Sequence, residues 1–268
     1  MYAETGGRSV AAVVLAGGNA DPRLAPGLPS KAFLTIGGRP LVVNVVDALR
    51  GSPSVARIIV AGPRALEGIF QGEIQVIATD GPQWENILAA LALVRSADLV
   101  LAIASDLPLV QSTTIEALVR ECSGGAAFYY PFVSRAAIET RFPGARKTYI
   151  KLQEGAFCGG CAAVFDPKMA ERFRQFAQRW NPVRMRPWRL WTSILGPRML
   201  LRLAVGRLSL SQAETHLRRV TGIRGRAVIL DAPDLALDVD DEPDLAFARA
   251  VLERSPAGPN ARSVQEFG

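Results

Sequence analysis

Histidine and cysteine are scarce in this chain of 268 residues, with a single His, His216, and only Cys122, Cys158 and Cys161. An odd trio of cysteines does not make a disulfide framework. Cys158 and Cys161 have the C-x-x-C spacing. A structural zinc site wants four ligands, though, and one further Cys and one His are all that remain. Nor does the pair occupy the early strand-to-helix turn of a thioredoxin-like motif. No apolar run approaches the roughly 18 residues that span a bilayer. The opening MYAETGGRSV has neither the cationic start nor the apolar block of a signal peptide, so cytoplasmic residence is the expectation. The motifs G-x-x-x-x-G-K-[ST], G-x-G-x-x-G and G-x-S-x-G are all missing, which argues against P-loop kinases, NAD enzymes and α/β-hydrolases.

What is present reads as an ordinary globular chain, 49% hydrophobic and 21% charged, long enough for one large domain. Its formal charge of +6 is unevenly spread. Between Arg172 and Arg226 stand thirteen arginines, no lysine and one acid, Glu214, a net +12 that leaves the remainder at −6. The basic balance therefore belongs to one region. Trp188, Trp191, Leu195, Met199, Leu200 and Leu203 lie there at helical spacing beside Arg189, Arg198, Arg202 and Arg207, broken by Gly196-Pro197. Three readings stand for it: a helical cap packed on the domain with arginines solvated or at a homodimer contact, a peripheral membrane segment over 180–207, or a site for an acidic partner. The cations form no nucleic-acid-binding motif, and no nucleic acid is expected.

Short apolar runs alternate with amphipathic ones. Val10–Leu15, Arg57–Ala61, Glu73–Ala78 and Asp98–Ala104 read as buried strands, and Pro40–Arg50, Pro82–Arg95 and Gln111–Cys122 as helices, which predicts βαβ units and a parallel sheet. Beyond Ala126 the rhythm changes: AAFYYPFV reads as a strand into a turn, Lys147–Leu152 as an exposed strand, and Gly159–Phe165 as leading into another. Pro167–Arg179 and Asp241–Arg254 read as helices, with a strand at Ala227–Leu230. Residues 1–8 are expected to be flexible, 9–254 to form one domain with 172–226 as a helical basic insertion, and 255–268 to be a disordered tail.

Ser9 to Pro40 organises the rest. Its strand ends in Gly17-Gly18, where the backbone can approach a ligand and turn its N–H groups toward it. Two isolated cations follow, Arg23 with a planar fork for phosphate oxygens and Lys31 as a mobile point charge. Together these make a cradle for a triphosphate. Asp106 follows the fourth apolar strand and so belongs at the carboxyl edge of the sheet, where ligands bind in such folds. Pro108 keeps it in a loop; the alternative is a helix cap or turn aspartate. In Leu237-Asp-Val-Asp240-Asp-Glu-Pro, alternation sends Asp238 and Asp240 to one side of an extended chain.

These residues resemble the MobA-like nucleotidyltransferases. The resemblance is carried by Leu15-Ala16-Gly17-Gly18, Arg23 (one residue further from the Gly pair than is usual), Lys31 and Gly37-Gly-Arg-Pro-Leu41. Asp106 in an S-D-x-P setting and the Asp238–Leu245 element add to it. It implies a three-layer α/β/α Rossmann-like, mostly parallel sheet of the nucleotide-diphospho-sugar transferase type. It also implies Mg²⁺ held by Asp106 and Asp240, and catalysis by Arg23, Lys31 and Asp106. The nucleotide would lie along Leu15, Ala16, Gly17, Gly18, Gly81 and Asn86, with GTP or CTP favoured. Phe157-Cys-Gly159-Gly160 resembles the small-residue loop that closes over the acceptor, a phosphorylated small molecule or lipid. Lys147 and Lys151, like Arg141 and Arg146, are cations for that acceptor or an exposed strand face. Attack by an acceptor phosphate on the α-phosphorus, expelling pyrophosphate, needs no histidine base. The rivals are a GT-A glycosyltransferase, which uses a D-x-D, and a nucleotide-binding or membrane-associated module without turnover.

Overall fold

Val10–Leu15 forms strand β1, buried almost throughout and central in a nine-stranded sheet. A computed structural model of the chain describes residues 9–17, 22–79, 83–94, 96–169, 171, 172, 175 and 187–254. The expected flexible start and tail lie outside these residues. β1 pairs in parallel with β4 (Val55–Gly62) and β6 (Leu99–Ala104), and β4 in turn with β5 (Gln75–Ala78). The hairpin β2 (Thr35–Ile36) and β3 (Arg39–Pro40) stands apart as its own small sheet.

Because neighbouring residues on a strand face opposite sides, a continuous apolar run must be covered twice. Val10, Ala12 and Val14 face helix α1 (Leu41–Arg50) and helix α4 (Ser112–Glu121) through Val42, Val45, Leu49, Ile115 and Leu118. Ala11 and Val13 face helix α3 (Gln83–Leu93) through Ala90 and Leu91. A short helix, α2 (Leu66–Phe70), links β4 to β5. This is the three-layer, mostly parallel α/β architecture expected from the sequence.

The second half corrects the sequence reading in two places. β7 (Phe128–Ser134) does not turn at Pro131 but runs through it and leads directly into helix α5 (Arg135–Arg141), where Ser134 Oγ accepts from Ala137 N at 3.1 Å. A proline lacks the N–H a strand ladder needs. Pro131 is tolerated because it lies where β7 changes partner on one edge, from β10 (Ala162–Phe165) at Phe128 and Tyr129 to β9 (Gly155–Gly159) at Phe132–Ser134. The other edge of β7 pairs in parallel with β11 (Gly225–Leu230). Likewise only Ile150–Leu152 of the expected Lys147–Leu152 strand is strand, β8; the stretch before it is loop, which frees Lys147 to turn inward. Pro167–Met169 is a 3-10 turn, and most of the helix expected to follow it lies outside the described residues.

Two helices cap the edge at β8 and β9. Helix α6 (Pro187–Ala204) is kinked at Gly196, φ 68°, as the Gly-Pro pair predicts. Helix α7 (Leu210–Thr221) begins with a capping box of Ser209 and Gln212 and ends at Gly222 in the left-handed conformation. Met199, Leu203, Leu210 and Ala213 pack around Leu152, Phe157 and Leu208. Helix α8 (Glu242–Arg254) follows the Asp238–Asp240 segment, and it joins the opening loop in a separate apolar cluster of Leu24, Leu34, Ile36, Val239 and Leu245.

Candidate active site

That cluster places the loop after β1 and the start of α8 over the carboxyl edge of β1 and β6. Lys31 opens a 3-10 turn whose cap is Ser30, with Ser30 Oγ accepting from Ala32 N at 3.3 Å. Asp106 follows β6 and is 6% exposed. Its carbonyl accepts from Val239 N at 3.0 Å, which pins the Asp238–Asp240 segment beside it. The Lys31 ammonium then has three acceptors: Asp106 Oδ2 at 2.5 Å, Asp240 Oδ1 at 2.8 Å and Val239 O at 3.0 Å. An ammonium has three N–H bonds to give, so its donors are fully used. Beside it Lys147 Nζ donates to Asp238 Oδ1 at 2.6 Å and to the Asp238 carbonyl at 3.3 Å.

Asp106, Asp238 and Asp240 thus face two lysines, which leaves one negative charge over, with Asp106 buried and Asp240 exposed. Burial pulls the Lys31 ammonium down, but Asp106 and Asp240 outweigh it and hold the group above its ordinary range. Lys147 is likewise raised, its burial outweighed by the Asp238 hydrogen bond and charge. Burial pushes the Asp106 carboxyl up, an effect Lys31 offsets only in part and the Asp238 charge adds to. At the less buried Asp240, the hydrogen bond and charge of Lys31 overcome burial and lower the carboxyl. Burial, with Asp238 and Asp106 nearby, also raises the Cys161 thiol, and burial raises that of Cys158. Neither thiol is bridged.

The surroundings of the Gly17 turn are built from backbone proximity. Ala16 N donates to Ala61 O at 2.8 Å at the end of β1, and Gly17 lies so close to Asn86 that a Cβ there would be 2.6 Å from Nδ2. Asn86 is fully buried; its Oδ1 accepts from Thr79 Oγ1 at 2.8 Å and its Nδ2 has no partner. Leu15 and Ala16 complete this wall, and Arg23 is exposed on the loop that follows. Gly18 and Gly81 lie outside the described residues.

Of the lysines expected on an acceptor side, Lys147 comes to the carboxylate cluster and Lys151 does not: it is exposed on β8 with its stem 3.4 Å from where a Cβ of Gly206 would lie. A Cβ at Gly159 would be 2.5 Å from Tyr130 Oη, and one at Gly160 would be 3.0 Å from Pro131 Cγ. A side chain at Gly159 would collide with β7, and one at Gly160 would crowd Pro131 and Leu235. Arg146 is exposed and lies 3.7 Å from Asp241. Sequence reasoning assigned no role to Thr79, Tyr130 or the Lys147–Asp238 pair. The signal for that pair was a lysine whose strand alternation pointed it outward, in a stretch that is loop.

A parallel sheet with a glycine turn at its central strand, and with lysine and carboxylates gathered at its carboxyl edge, defines a transferase domain of the nucleotidyltransferase class. The chain belongs to the MobA-like NTP transferase domain family, whose model matches residues 12–199. It is 33% identical over 132 residues to a 2-C-methyl-D-erythritol 4-phosphate cytidylyltransferase of Frankia casuarinae, a match covering 47% of this chain and 49% of that protein. The chain spans about half the length, or less, of the curated relatives it matches. A hypothetical transferase structure from Thermus thermophilus is 31% identical, with a TM-score of 0.79 over 88% of this chain and 99% of that one. A CMP:2-keto-3-deoxy-manno-octonic acid synthetase solved with CTP shares the fold at 14% identity and a TM-score of 0.60, covering 92% of this chain and 99% of that one.

Proposed function

We propose that the chain is a Mg²⁺-dependent nucleotidyltransferase that moves an NMP, CMP foremost, from an NTP to a phosphorylated acceptor and releases pyrophosphate. The observation that carries this is the convergence of Lys31, Asp106 and Asp240 beside the Gly17 turn. The cytidylyltransferase relatives favour CTP over GTP.

The donor set suits Mg²⁺. Two carboxylate oxygens lie within 2.8 Å of the one point that Lys31 Nζ now fills, and both are hard oxygen donors. Among the described residues no three His, Cys, Asp or Glu side chains form a metal site by themselves. Asp106 and Asp240 would therefore supply the protein's two ligands, the usual pattern where substrate phosphates provide others. Held by Asp106 and Asp240, such an ion would supply charge neutralisation at the phosphate oxygens. Lys31 and Arg23 give the phosphates further positive charge, and Gly17 lets the backbone come close to them. The fixed, unpartnered Nδ2 of Asn86 is a donor held for an acceptor atom of the base. Lys147 is the cation on the acceptor side. An acceptor phosphate is already an anion, so His216, which sits on α7, is not called on.

Thermal unfolding with Mg²⁺ and each of CTP, GTP, ATP and UTP tests the nucleotide. Selective ligands raise the midpoint by mass action, and CTP is expected to raise it most. Pyrophosphate release with CTP across a panel of sugar, polyol and lipid phosphates tests transfer. A chain whose midpoint no nucleotide moves, and that releases no pyrophosphate, is not this enzyme.

A further inference from the structure

Among the described residues the two most exposed large hydrophobic side chains are Leu201, 66% exposed, and Val205, 57%. Leu201 lies in the second half of α6, beyond the kink, and Val205 follows directly on its end, its N–H donating to Leu201 O at 3.1 Å. Arg198, Leu201, Arg202 and Val205 follow the i, i+3, i+4, i+7 spacing that puts four side chains on one helical face, and all four are exposed. Met199 and Leu203 point away from that face into the cluster around Leu152, Phe157 and Leu208, so packing fixes the mixed face outward.

The surroundings are mostly cationic, with one exposed acid, Glu154, accepting from Leu210 N at 2.9 Å at the start of α7. Arg207 is exposed just beyond the helix, Arg218 and Arg219 in the last turn of α7, and Lys151 lies against Gly206. Glu214, the region's one acid, is half-buried and its carboxylate accepts from Ala227 N at 2.7 Å, so its charge is turned toward the domain. Among the described residues no carboxylate pairs with Arg198, Arg202 or Arg207.

We propose that this face docks on an anionic lipid bilayer, with Leu201 and Val205 entering the headgroup boundary and the arginines meeting lipid phosphates. A nucleic acid would reward the arginines but would gain nothing from aliphatic side chains set among them. Two exposed aliphatic residues are also a small fraction of the roughly 800 Å² per partner that a standard protein interface buries. A charged bilayer surface rewards both features at once. Among the described residues no helix is long and apolar enough to cross a membrane, so α6 lies along the surface. The inference is independent of the chemistry at Lys31 and Asp106.

Co-sedimentation of the full chain with vesicles tests it, using phosphatidylcholine alone against phosphatidylcholine with about one third phosphatidylglycerol. Anionic vesicles are expected to bind at least about tenfold better at low salt and to lose the protein as salt rises. Leu201→Ser with Val205→Ser is expected to weaken that binding about tenfold, and Arg198→Glu with Arg202→Glu to abolish it. The unfolding midpoint of each variant, expected to stay at the wild-type value because the side chains are exposed, reports that the fold is intact. Equal pelleting on both vesicles overturns the proposal. So does anionic binding that the serine variant leaves unchanged, which marks a surface reading phosphate charge alone, as for nucleic acid. A wild-type dimer that the serine variant makes monomeric also overturns it, and makes this face a contact between copies.

Discussion

The Lys31 ammonium lies 2.5 Å from Asp106 Oδ2 and at the same time 2.8 Å from Asp240 Oδ1, occupying the point on which two carboxylates converge. A lysine there holds the acids together without a divalent ion. For the same reason it must move if a metal takes that seat, and the natural direction is toward the phosphates that arrive with the metal.

Lys31→Gln is therefore expected to have opposite effects on two measurements. Pyrophosphate release falls on the order of a hundredfold or more, about 3 kcal/mol, the scale of one lost charge-stabilising donor. Mn²⁺ binding in the absence of nucleotide, followed by electron paramagnetic resonance, becomes tighter because the acids lose their internal cation. Weaker Mn²⁺ binding would mean that Lys31 does not stand in the metal's place.

At Gly17 the expectation is steric. Gly17→Ala brings a methyl to 2.6 Å from Asn86 Nδ2 and costs about 1–3 kcal/mol by overpacking. Asn86→Ala removes the obstructing amide. In a double-mutant cycle by urea unfolding, the pair should be more stable than the two single losses add up to. Nucleotide discrimination by thermal shift should stay lost in the pair, since the donor proposed for the base is gone.

The lysines give the protein an alkaline limb. Lys147 is raised in the folded state, so its contribution is fully present below the unfolded value of about 10.4 and is lost as pH rises through the higher folded value. Across that window the folded chain binds more protons than the unfolded one, so stability falls with rising pH. Lys147→Met should flatten the slope in urea titrations, with the part due to Lys31 left in place. A slope unchanged by the substitution would mean that Asp238 does not hold Lys147 in solution.

Gly159→Ala places a Cβ 2.5 Å from Tyr130 Oη, whose phenol is pushed up to about 12 by burial with Cys161, Cys158 and Asp238 nearby. The expected loss is about 1–3 kcal/mol. Tyr130→Phe in the same chain should recover most of it, and calorimetry on the three variants measures this directly.

The parallel half of the sheet was legible because its signals are local. A run such as Val10–Leu15 is too short for a helix and too apolar for a surface, and Pro40, Gly51 and Gly17 punctuate it on a regular rhythm. Asp106 was legible from the strand before it and Pro108 after it. The pairing of Lys147 with Asp238 was not, because it depends on where β8 starts and on Asp238, 91 residues further on, supplying the acceptor. Pro131 misled for a related reason. Its missing N–H argues for a turn until β9 and β10 are known to share one edge of β7. The Thr79–Asn86 bond lay hidden in the same way, since nothing in either residue's neighbourhood marks the partner.

The cluster that joins Leu24 and Leu34 to Val239 and Leu245 also sets the order in which the protein becomes competent. Lys31 and Asp240 are separated by 209 positions, so their bond can close only after the chain through Asp240 has left the ribosome and α8 has settled. A ribosome-bound chain halted near Leu230 would already possess its central strands and its glycine turn, yet it would hold Lys31 without Asp240. Closure of the Lys31–Asp240 contact thus waits on the synthesis of Asp240, whatever the speed at which the sheet itself forms.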